Sequence, residues 1–380
     1  MRYRYFLPVL MFCLVTVLHG QNVSVSDYMV PVSKAATMRF DGNWNYAQVG
    51  DSVSSNIATG ALSYATFYSS LPLAWFINLN ASASKAQQQD LAHNVAFDAS
   101  FQKYVWEDDN WFGFSKFSAQ SITFYDQIAS DITVGAGYGR YINATALAKA
   151  VRIENHFLEE KVITDRLPKD VILRIAAIIE RENEYKTIYG TTYETIWFRD
   201  IEREVQISGV CKEDGVGSIG ILRMRQVLFG INERVNERDY GWDVKAGFLF
   251  PLSTYNKATV GDPNLDLIAR YSVPVNWSTQ LNSSFEVFTP MDSLFFHDFQ
   301  ARLGVDFIFE LNSRVNLVSG YRFALIKMAD QKSVLSNNIT LSFWYYIENS
   351  IYYTINGTFN KDTDKPRQIN MTMGLQYNFY

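Results

Sequence analysis

The chain has 380 residues, with 34 Lys and Arg against 39 Asp and Glu, for a formal net charge of -5. This balance argues against a nucleic-acid partner, because phosphate binding requires a basic excess on at least one face. Hydrophobic residues make up 48% of the chain and charged residues only 19%, which excludes an intrinsically disordered protein. The aromatic content of 15% is unusually high.

The first twenty residues have the organisation of a secretory signal peptide. Arg2 and Arg4 precede an apolar stretch over residues 6–15, and cleavage after Gly20 would leave residue 21 at the mature end. That stretch is too short to span a membrane comfortably as an anchor. We therefore expect a signal peptide at 1–20 and a periplasmic N-terminal segment at 21–36. No later stretch reaches 18 consecutive apolar residues, so any further crossing must use strands.

From Met38 onward, segments of about ten residues alternate between apolar and polar side chains. The polar positions carry mainly Asn, Ser, Thr, Gln and Gly, whereas the outer face of a soluble sandwich would be richer in Lys and Glu. Examples of the apolar positions are Met38, Phe40, Trp44 and Tyr46, then Tyr240, Trp242, Val244 and Phe248, and near the end Met371, Met373, Leu375, Tyr377 and Phe379. The pattern is typical of a transmembrane β-barrel with lipid outside and a polar lumen.

The connections between these segments support the same interpretation. About six strands precede residue 142 and eight follow residue 236. The even-numbered connections between them are short, whereas odd-numbered connections such as residues 253–264 are longer and polar. Short periplasmic turns and long outer loops are what a bacterial barrel requires. We predict an all-β, antiparallel, up-and-down barrel of about 14 strands, with strands 1–6 over 37–142 and strands 7–14 over 237–380.

One region, residues 143–236, interrupts the strand pattern. Between 144 and 236, 29 of 93 residues are charged, about twice the density elsewhere. Apolar residues recur there at helical spacing, as in Val171, Ile172, Ile175 and Ile179. Helices are also expected around residues 147–158, 192–207 and 219–229, with Asn143 or Thr145 capping the first. By strand parity, this helical insert follows strand 6 on the periplasmic side.

The last ten residues, Met371–Tyr380, resemble the terminal strand of Gram-negative outer-membrane β-barrel proteins, and the whole architecture resembles a porin. The resemblance implies an outer-membrane location after signal-peptide cleavage. It also implies contact with outer-membrane lipid, the barrel-assembly machinery and periplasmic chaperones, with a periplasmic protein partner possible. The implied assembly signal is Leu375, Tyr377, Phe379 and Tyr380, although Phe379 faces outward one position before the end.

Charged residues at inward positions are the candidate pore lining. They are Arg39, Asp41, Asp243, Lys245, Asp266, Arg270, Arg302, Asp306 and Arg322. Such charges set ion preference in an aqueous pore. They can equally pair across neighbouring strands and hold the wall, and the sequence leaves both roles open. Because their signs are mixed, we expect weak selectivity.

The remaining motifs are weaker indications of function. Gly215–Gly220 fits a G-x-G-x-x-G pattern, but no buried strand precedes it, so a turn at a helix start is favoured over a dinucleotide site. His93 and His297 fall in expected outer loops near aspartates, which makes a hydrolase at the rim a minor alternative. His156 is expected on a helix surface and Cys211 as a bystander. Tryptophans near strand ends are expected to anchor the barrel at the interfaces, namely Trp44, Trp75, Trp106, Trp111, Trp242, Trp277 and Trp344. Stacking of sugars along the lumen would require these rings to face inward, and by parity most of them face outward. No catalytic residue, metal or cofactor is expected.

The preferred function is a porin-like channel for small polar solutes, since a barrel of this size is wide enough for an aqueous path. The alternative is a closed structural or docking barrel, whose helical insert plugs the lumen or binds a periplasmic partner. The position of residues 144–236 discriminates between the two.

Overall fold

The architecture comes from a computed structural model that describes residues 22–377, except for 294, 330, 349–350 and 364 and the side chain of residue 348. The expected signal peptide lies outside the described residues, as do Phe379 and Tyr380 of the expected assembly signal.

The strands form one antiparallel sheet of 14, in which each strand pairs with its neighbours in the chain. This confirms the predicted all-β, up-and-down fold class. The strands are β1 (Ser33–Val49), β2 (Ser52–Ser69), β3 (Leu73–Ala86), β4 (Ala92–Tyr104), β5 (Trp111–Ile122), β6 (Ala129–Asn143), β7 (Asp239–Ser253), β8 (Asn264–Asn276), β9 (Thr279–Pro290), β10 (Phe299–Asn312), β11 (Val315–Lys327), β12 (Val334–Glu348), β13 (Ile351–Asp362) and β14 (Gln368–Tyr377).

The two ends of the sheet differ in their connections. The short β2–β3, β8–β9 and β10–β11 turns lie at the same end as the helical segment between β6 and β7, which we call the insert end. Longer connections, such as β7–β8 and β9–β10, lie at the opposite loop end. The first connection is an exception among the loops, since only Gly50 and Asp51 separate β1 from β2. Gly50 has φ +61°, a conformation that favours glycine in a tight turn.

The two faces of the sheet differ in polarity, as the alternation predicts. On one face, which we call the apolar face, large hydrophobic side chains are exposed in strand after strand. Examples are Met38 and Phe40 on β1, Trp242 and Val244 on β7, Ile339 and Leu341 on β12, and Met371 and Leu375 on β14. The polar face carries the nine predicted pore-lining residues. An exposed apolar surface of this extent is larger than monomeric proteins usually present to water.

The sheet has two edges within the described residues. There, β1 pairs with β2 and β14 pairs with β13, and no pairing joins β1 to β14. The edge strands differ in length, with 17 residues in β1 and 10 in β14. Unpaired edge strands present backbone N–H and C=O groups that a further strand can satisfy.

The insert consists of five α-helices, α1 (Thr145–Glu159), α2 (Lys169–Glu180), α3 (Glu182–Tyr189), α4 (Tyr193–Ile207) and α5 (Gly217–Phe229). The short helix α3 was not predicted, because its sequence is mostly polar. Asn143 stabilises the start of α1, where its Oδ1 accepts a hydrogen bond of 3.0 Å from the Thr145 N–H.

The helices pack around a core of their own. Trp197, Ile172, Ile201 and Phe157 are fully buried there, and the Trp197 Nε1–H donates to the Ile178 carbonyl at 2.9 Å. Residues 22–32, which we call the strap, join this core through Val23, Val25 and Tyr28. The N-terminal segment is therefore part of the folded insert, and β1 begins directly after it.

The positions of the insert contacts indicate that the sheet is curved. The insert contacts β1 through α3 and also bonds with β10. In a flat sheet these strands would lie about 43 Å apart at about 4.8 Å per strand, whereas a folded segment of this length is only about 30 Å across. The contacted residues, such as Glu310 and Asn316, are on the polar face. The polar face is therefore the concave one.

Candidate functional site

Most of the predicted pore-lining residues form ion pairs on the polar face. Arg39 Nε lies 2.7 Å from Asp41 Oδ2, and Arg322 Nη2 lies 2.7 Å from Asp306 Oδ2. Asp243 accepts from Arg270 Nε at 2.8 Å and also lies 3.5 Å from Lys245 Nζ. The pairs lie along or between adjacent strands, so these residues reinforce the wall while facing the concave side.

A cavity of about 390 Å³ on this face collects three of the predicted arginines, Arg270, Arg302 and Arg322. Arg302 lies 3.5 Å from Glu286, which sequence reasoning missed, and both side chains are exposed. Glu286 occupies an inward position of β9, but Phe288 breaks the alternation of that strand and obscured it. Asp266, the remaining predicted residue, has a buried Oδ1 without a hydrogen-bond partner in the described part of the chain.

Further along the polar face, two phenylalanine rings lie on glycines of β6. A Cβ atom at Gly137 would lie 2.3 Å from the Phe112 ring, and one at Gly135 would lie 2.6 Å from the Phe114 ring. The Lys245 ammonium lies 5.4 Å from the centre of the Phe112 ring. The glycines thus let the rings pack flat on the wall and keep a cation beside them.

At the insert end, a cluster of charged groups joins the insert to the wall. Glu310 on β10 is 2% exposed and accepts from Arg152 Nη2 at 2.6 Å and from Arg238 Nη2 at 2.8 Å. Asn236 Nδ2–H donates to the same carboxylate at 2.7 Å. Burial lowers the pKa of Arg238, and the neighbouring Glu310 opposes that shift. We call Arg152, His156, Glu233, Arg238 and Glu310 the latch.

His156 belongs to this cluster, which corrects the expectation that it lies on a helix surface. It is 6% exposed, and its Nε2 lies 2.8 Å from Glu233 Oε1. Arg152 bridges the two acids, because its Nη1 also lies 3.2 Å from Glu233 Oε2. No local pattern in the sequence indicates this pairing, since the two halves of the cluster are far apart in the chain.

Two tryptophans also depart from the expectation of interface anchors. Trp277 packs against the core of the insert. Trp344 pairs with Asn316 on the polar face, and the Arg234 guanidinium lies 5.6 Å from its ring centre. Both residues therefore help to seat the insert. Trp44, Trp106, Trp111 and Trp242 are exposed.

The strap is tied to the insert by two polar contacts. Asp27 lies 2.8 Å from Lys169 Nζ, and this hydrogen bond lowers the pKa of the Asp27 carboxyl. The Tyr28 hydroxyl donates to Glu180 Oε2 at 3.1 Å. Burial of the Glu180 carboxyl raises its pKa, and the hydrogen bond from Tyr28 partly offsets this rise.

Comparisons with known proteins add little to this geometry. No family model matches the chain, and no curated protein matches its sequence. A solved structure described as KdgM porin is 8% identical, with a TM-score of 0.22 over 76% of this chain and 94% of that one. A CymD monoaromatic hydrocarbon channel is also 8% identical, with a TM-score of 0.26 over 93% of this chain and 90% of that one. Because both scores are low, we take the architecture from the strand pairing alone.

The glycine motif at 215–220 is a packed turn at the start of α5. The Val216 N–H donates to Glu202 Oε1 at 3.0 Å, so a carboxylate already occupies the place that a phosphate would take. Gly217 has φ +63°, and a Cβ atom at Gly220 would lie 2.7 Å from the Val216 side chain. The glycines serve the turn and the packing.

Within the described residues, the candidate histidines for a hydrolase at the rim, His93 and His297, do not lie together as a catalytic pair. His93 lies on β4, where its Nε2 is 3.1 Å from the Ser121 hydroxyl. His297 lies exposed in the β9–β10 connection. Cys211 is partly buried in the insert, and this burial raises the pKa of its thiol.

The described residues contain no group of three His, Cys, Asp or Glu side chains placed to hold a metal ion. No helix among them is long and apolar enough to cross a membrane.

Proposed function

We propose that the protein is a porin-like channel of the outer membrane that passes small polar solutes. The carrying observation is the division of the curved sheet into an exposed apolar outer face and a concave polar face lined by charged residues. Lipid would cover the first face and water would fill the second. The insert end would then lie in the periplasm and the loop end outside the cell.

The proposal requires the sheet to close, and its two open edges are suited to this. Because the sheet is antiparallel and has an even number of strands, β1 and β14 run in opposite directions and can pair as an antiparallel ladder. Closure would remove both edges. This is required in lipid, because the backbone N–H and C=O groups of an edge strand cannot stay unpaired there. Cysteines introduced in pairs on β1 and β14 should crosslink in the membrane. Absence of crosslinking at every register would contradict a closed barrel.

The deciding experiment is the conductance of the refolded full chain in a planar bilayer. Discrete, reproducible steps would support the channel. A silent bilayer in which protease protection proves insertion would contradict it. Heat-modifiable gel mobility serves as the control for folding, since an intact barrel migrates differently before and after boiling.

A second candidate, a plugged barrel, is supported by the latch and by the contact of α3 with β1. These contacts hold the insert against opposite parts of the polar face at the same end. Removing one partner of a buried ion pair is strongly destabilising, because the other charge stays buried without compensation. A latch of this kind would keep the insert across the opening.

The substitution Glu310→Gln tests the plug with little change in volume. In a plugged barrel the variant should conduct more than the wild-type protein, since Arg152 and Arg238 lose their shared carboxylate. The matched control is Arg174→Gln, because Arg174 pairs with Glu204 and Asp170 inside the insert. Equal conductance in all three proteins would contradict a latch-held plug.

The proposed location also implies recognition of the C-terminal strand by the barrel-assembly machinery and periplasmic chaperones. Leu375 and Tyr377 lie exposed on β14, as an assembly signal requires. Deleting Phe379 and Tyr380 should lower the amount of heat-modifiable protein in outer-membrane fractions. Wild-type amounts after this deletion would contradict the assignment. The second candidate function, a plugged or docking barrel, includes binding of a periplasmic protein partner by the insert.

A further inference from the structure

A second cavity lies where the insert meets the polar face of β1, β2 and β3. Its volume is about 450 Å³, and small-molecule sites usually measure about 300–1,000 Å³. The sheet contributes Ser33, Phe67, Phe76 and Asn78, and the insert contributes Glu180 and Asn183. The cavity therefore exists only while the insert is docked on the wall.

The floor of the cavity is a pair of aromatic rings. Phe67 and Phe76 are adjacent on neighbouring strands, with ring centres 5.8 Å apart and planes inclined by 18°. Phe76 is 42% exposed, although it occupies a polar-face position of β3 that continues as Asn78, Asn80 and Ser82. An exposed ring on an otherwise polar face offers an apolar surface to a solute.

The remaining wall supplies hydrogen-bonding groups. Ser33 is 4% exposed, and its buried Oγ has no hydrogen-bond partner in the described part of the chain. A buried hydroxyl without a partner costs free energy, which a bound hydroxyl group would recover. Asn78, Asn183 and Glu180 add amide and carboxylate groups from opposite sides. Lys186 also lines the cavity, but its charge is balanced by Glu182 at 2.7 Å.

These groups match the two sides of a cyclic sugar. One face of such a ring presents C–H groups, which carry a partial positive charge and pack against the negative face of an aromatic ring. Its hydroxyl groups both donate and accept hydrogen bonds, as Ser33, the two amides and the carboxylate require. A purely ionic solute would leave the rings unused, and a hydrocarbon would leave the polar groups unpaired.

We propose that the cavity between the insert and β1–β3 is a binding subsite for a neutral cyclic sugar. The ring face of the sugar lies on Phe76, and its hydroxyl groups bond with Ser33, Asn78 and Glu180. The inference rests on the proposed function, because the sugar reaches the subsite through the lumen. Because both the insert and the wall form the subsite, bound sugar also stabilises the docked insert.

The test measures binding of maltose, cellobiose and lactose to the refolded full chain by saturation-transfer NMR, in a detergent that has no sugar headgroup. Mannitol is the control for an open-chain polyol, and choline is the control for an organic cation. We expect saturable binding of at least one cyclic sugar and weaker binding of both controls. The sugar should also slow proteolysis within residues 144–236.

Two variants assign the binding to this cavity. Phe76→Ala should weaken sugar binding about tenfold, the scale of one lost aromatic contact, and Phe76→Tyr should retain it. Phe124→Ala is the matched control, because Phe124 is 89% exposed in the β5–β6 connection at the loop end. If Phe76→Ala does not give heat-modifiable protein, Phe76→Leu is measured in its place, since it fills the volume without a ring.

The outcomes separate this inference from the proposed channel. A conducting protein that binds none of the three sugars, or that binds choline in their place, overturns the subsite and leaves the channel standing. A silent protein whose sugar binding depends on Phe76 supports the subsite and contradicts the channel. Sugar binding that is unchanged in Phe76→Ala overturns the assignment to this cavity.

Discussion

The apolar side chains of the insert point into its own core, whereas those of the sheet point outward. Within the described residues, nearly all buried hydrophobic side chains belong to the insert and the strap, and the strands contribute Tyr104, Phe112 and Ile308. The exposed large hydrophobics lie mainly on the strands, including Phe40, Trp44 and Leu375, which are about two-thirds or more exposed.

This contrast shows that the two regions dispose of their apolar side chains in different ways. The insert buries its apolar face against itself, as a domain in water does. The sheet satisfies its backbone through strand pairing and leaves its apolar side chains outward, as the proposed contact with lipid would require. The same chain therefore contains one region that buries its apolar side chains and one that exposes them. Substitutions in each region can test whether the two are stabilised independently.

The largest expected effect is on the insert alone. Trp197→Ala removes a fully buried ring and the donor to the Ile178 carbonyl, and should lower the free energy of unfolding of the insert by about 3–5 kcal/mol. Thermal loss of the helical circular dichroism signal measures it. The barrel should keep its heat-modifiable mobility. Trp106→Ala is the control, since Trp106 is 70% exposed. Loss of mobility in Trp197→Ala would contradict the independence of the two regions.

A smaller effect is expected in the sheet. Gly137→Ala would place a Cβ atom 2.3 Å from the Phe112 ring, and should destabilise the barrel by about 1–3 kcal/mol through overpacking. Urea unfolding followed by gel mobility measures the change. The double variant with Phe112→Ala should recover part of the loss. Gly60→Ala is the matched control, because nothing lies within 4 Å of its added Cβ. Equal losses for both glycine variants would argue against ring packing.

The polar face should respond in ion preference more than in stability. Arg302 and Glu286 form an exposed pair with a separation of 3.5 Å, which contributes about 0–1 kcal/mol. Arg302→Gln should shift the reversal potential toward cation preference in a salt gradient, while the unfolding midpoint changes little. Arg39→Gln tests the same effect on β1. Unchanged reversal potentials in both variants would assign these arginines to the wall alone.

The smallest effect concerns the strap. The Lys169 hydrogen bond lowers the pKa of Asp27 in the folded state. The stabilisation from this ion pair is therefore complete above the unfolded pKa of about 3.9. It is lost as the pH falls through the lower pKa of the folded state. Asp27→Asn should therefore cost under about 1 kcal/mol at pH 6, and the difference from wild type should vanish at strongly acidic pH. Thermal melts of the insert measure it. Asp262→Asn is the control, because Asp262 lies exposed in the β7–β8 connection, outside the insert. A constant difference at all pH values would contradict the ion pair.

The strands and their faces could be predicted because period-two alternation is local. Arg39 and Asp41 were assigned to one face by parity alone, and they form an ion pair there. The prediction failed where a strand breaks its own alternation. Phe67 and Phe76 face the polar side for this reason, and the aromatic floor of the second cavity was missed. The helix α3 was missed because polar residues dominate its sequence.

The latch and the strap could not be predicted, because their contacts join distant parts of the chain. Arg152 and Glu310 are 158 residues apart and meet only when the insert docks on β10. His156 has the helical position of a surface residue in sequence, yet Glu233 and the latch bury it. Nothing local marks the Tyr28 hydroxyl as a partner of Glu180.

The sequence by itself determined the two kinds of element, the fourteen strands, the helical segment between the sixth and seventh, and the face of the sheet on which most strand side chains lie. Those features follow from periodicity, which neighbouring residues specify together. Only the tertiary structure decided that the insert contacts both β1 and β10, that mixed charges form pairs, and that a cavity forms beneath α3. These depend on where distant segments meet, because a buried charge or hydroxyl requires a partner that the local sequence does not supply.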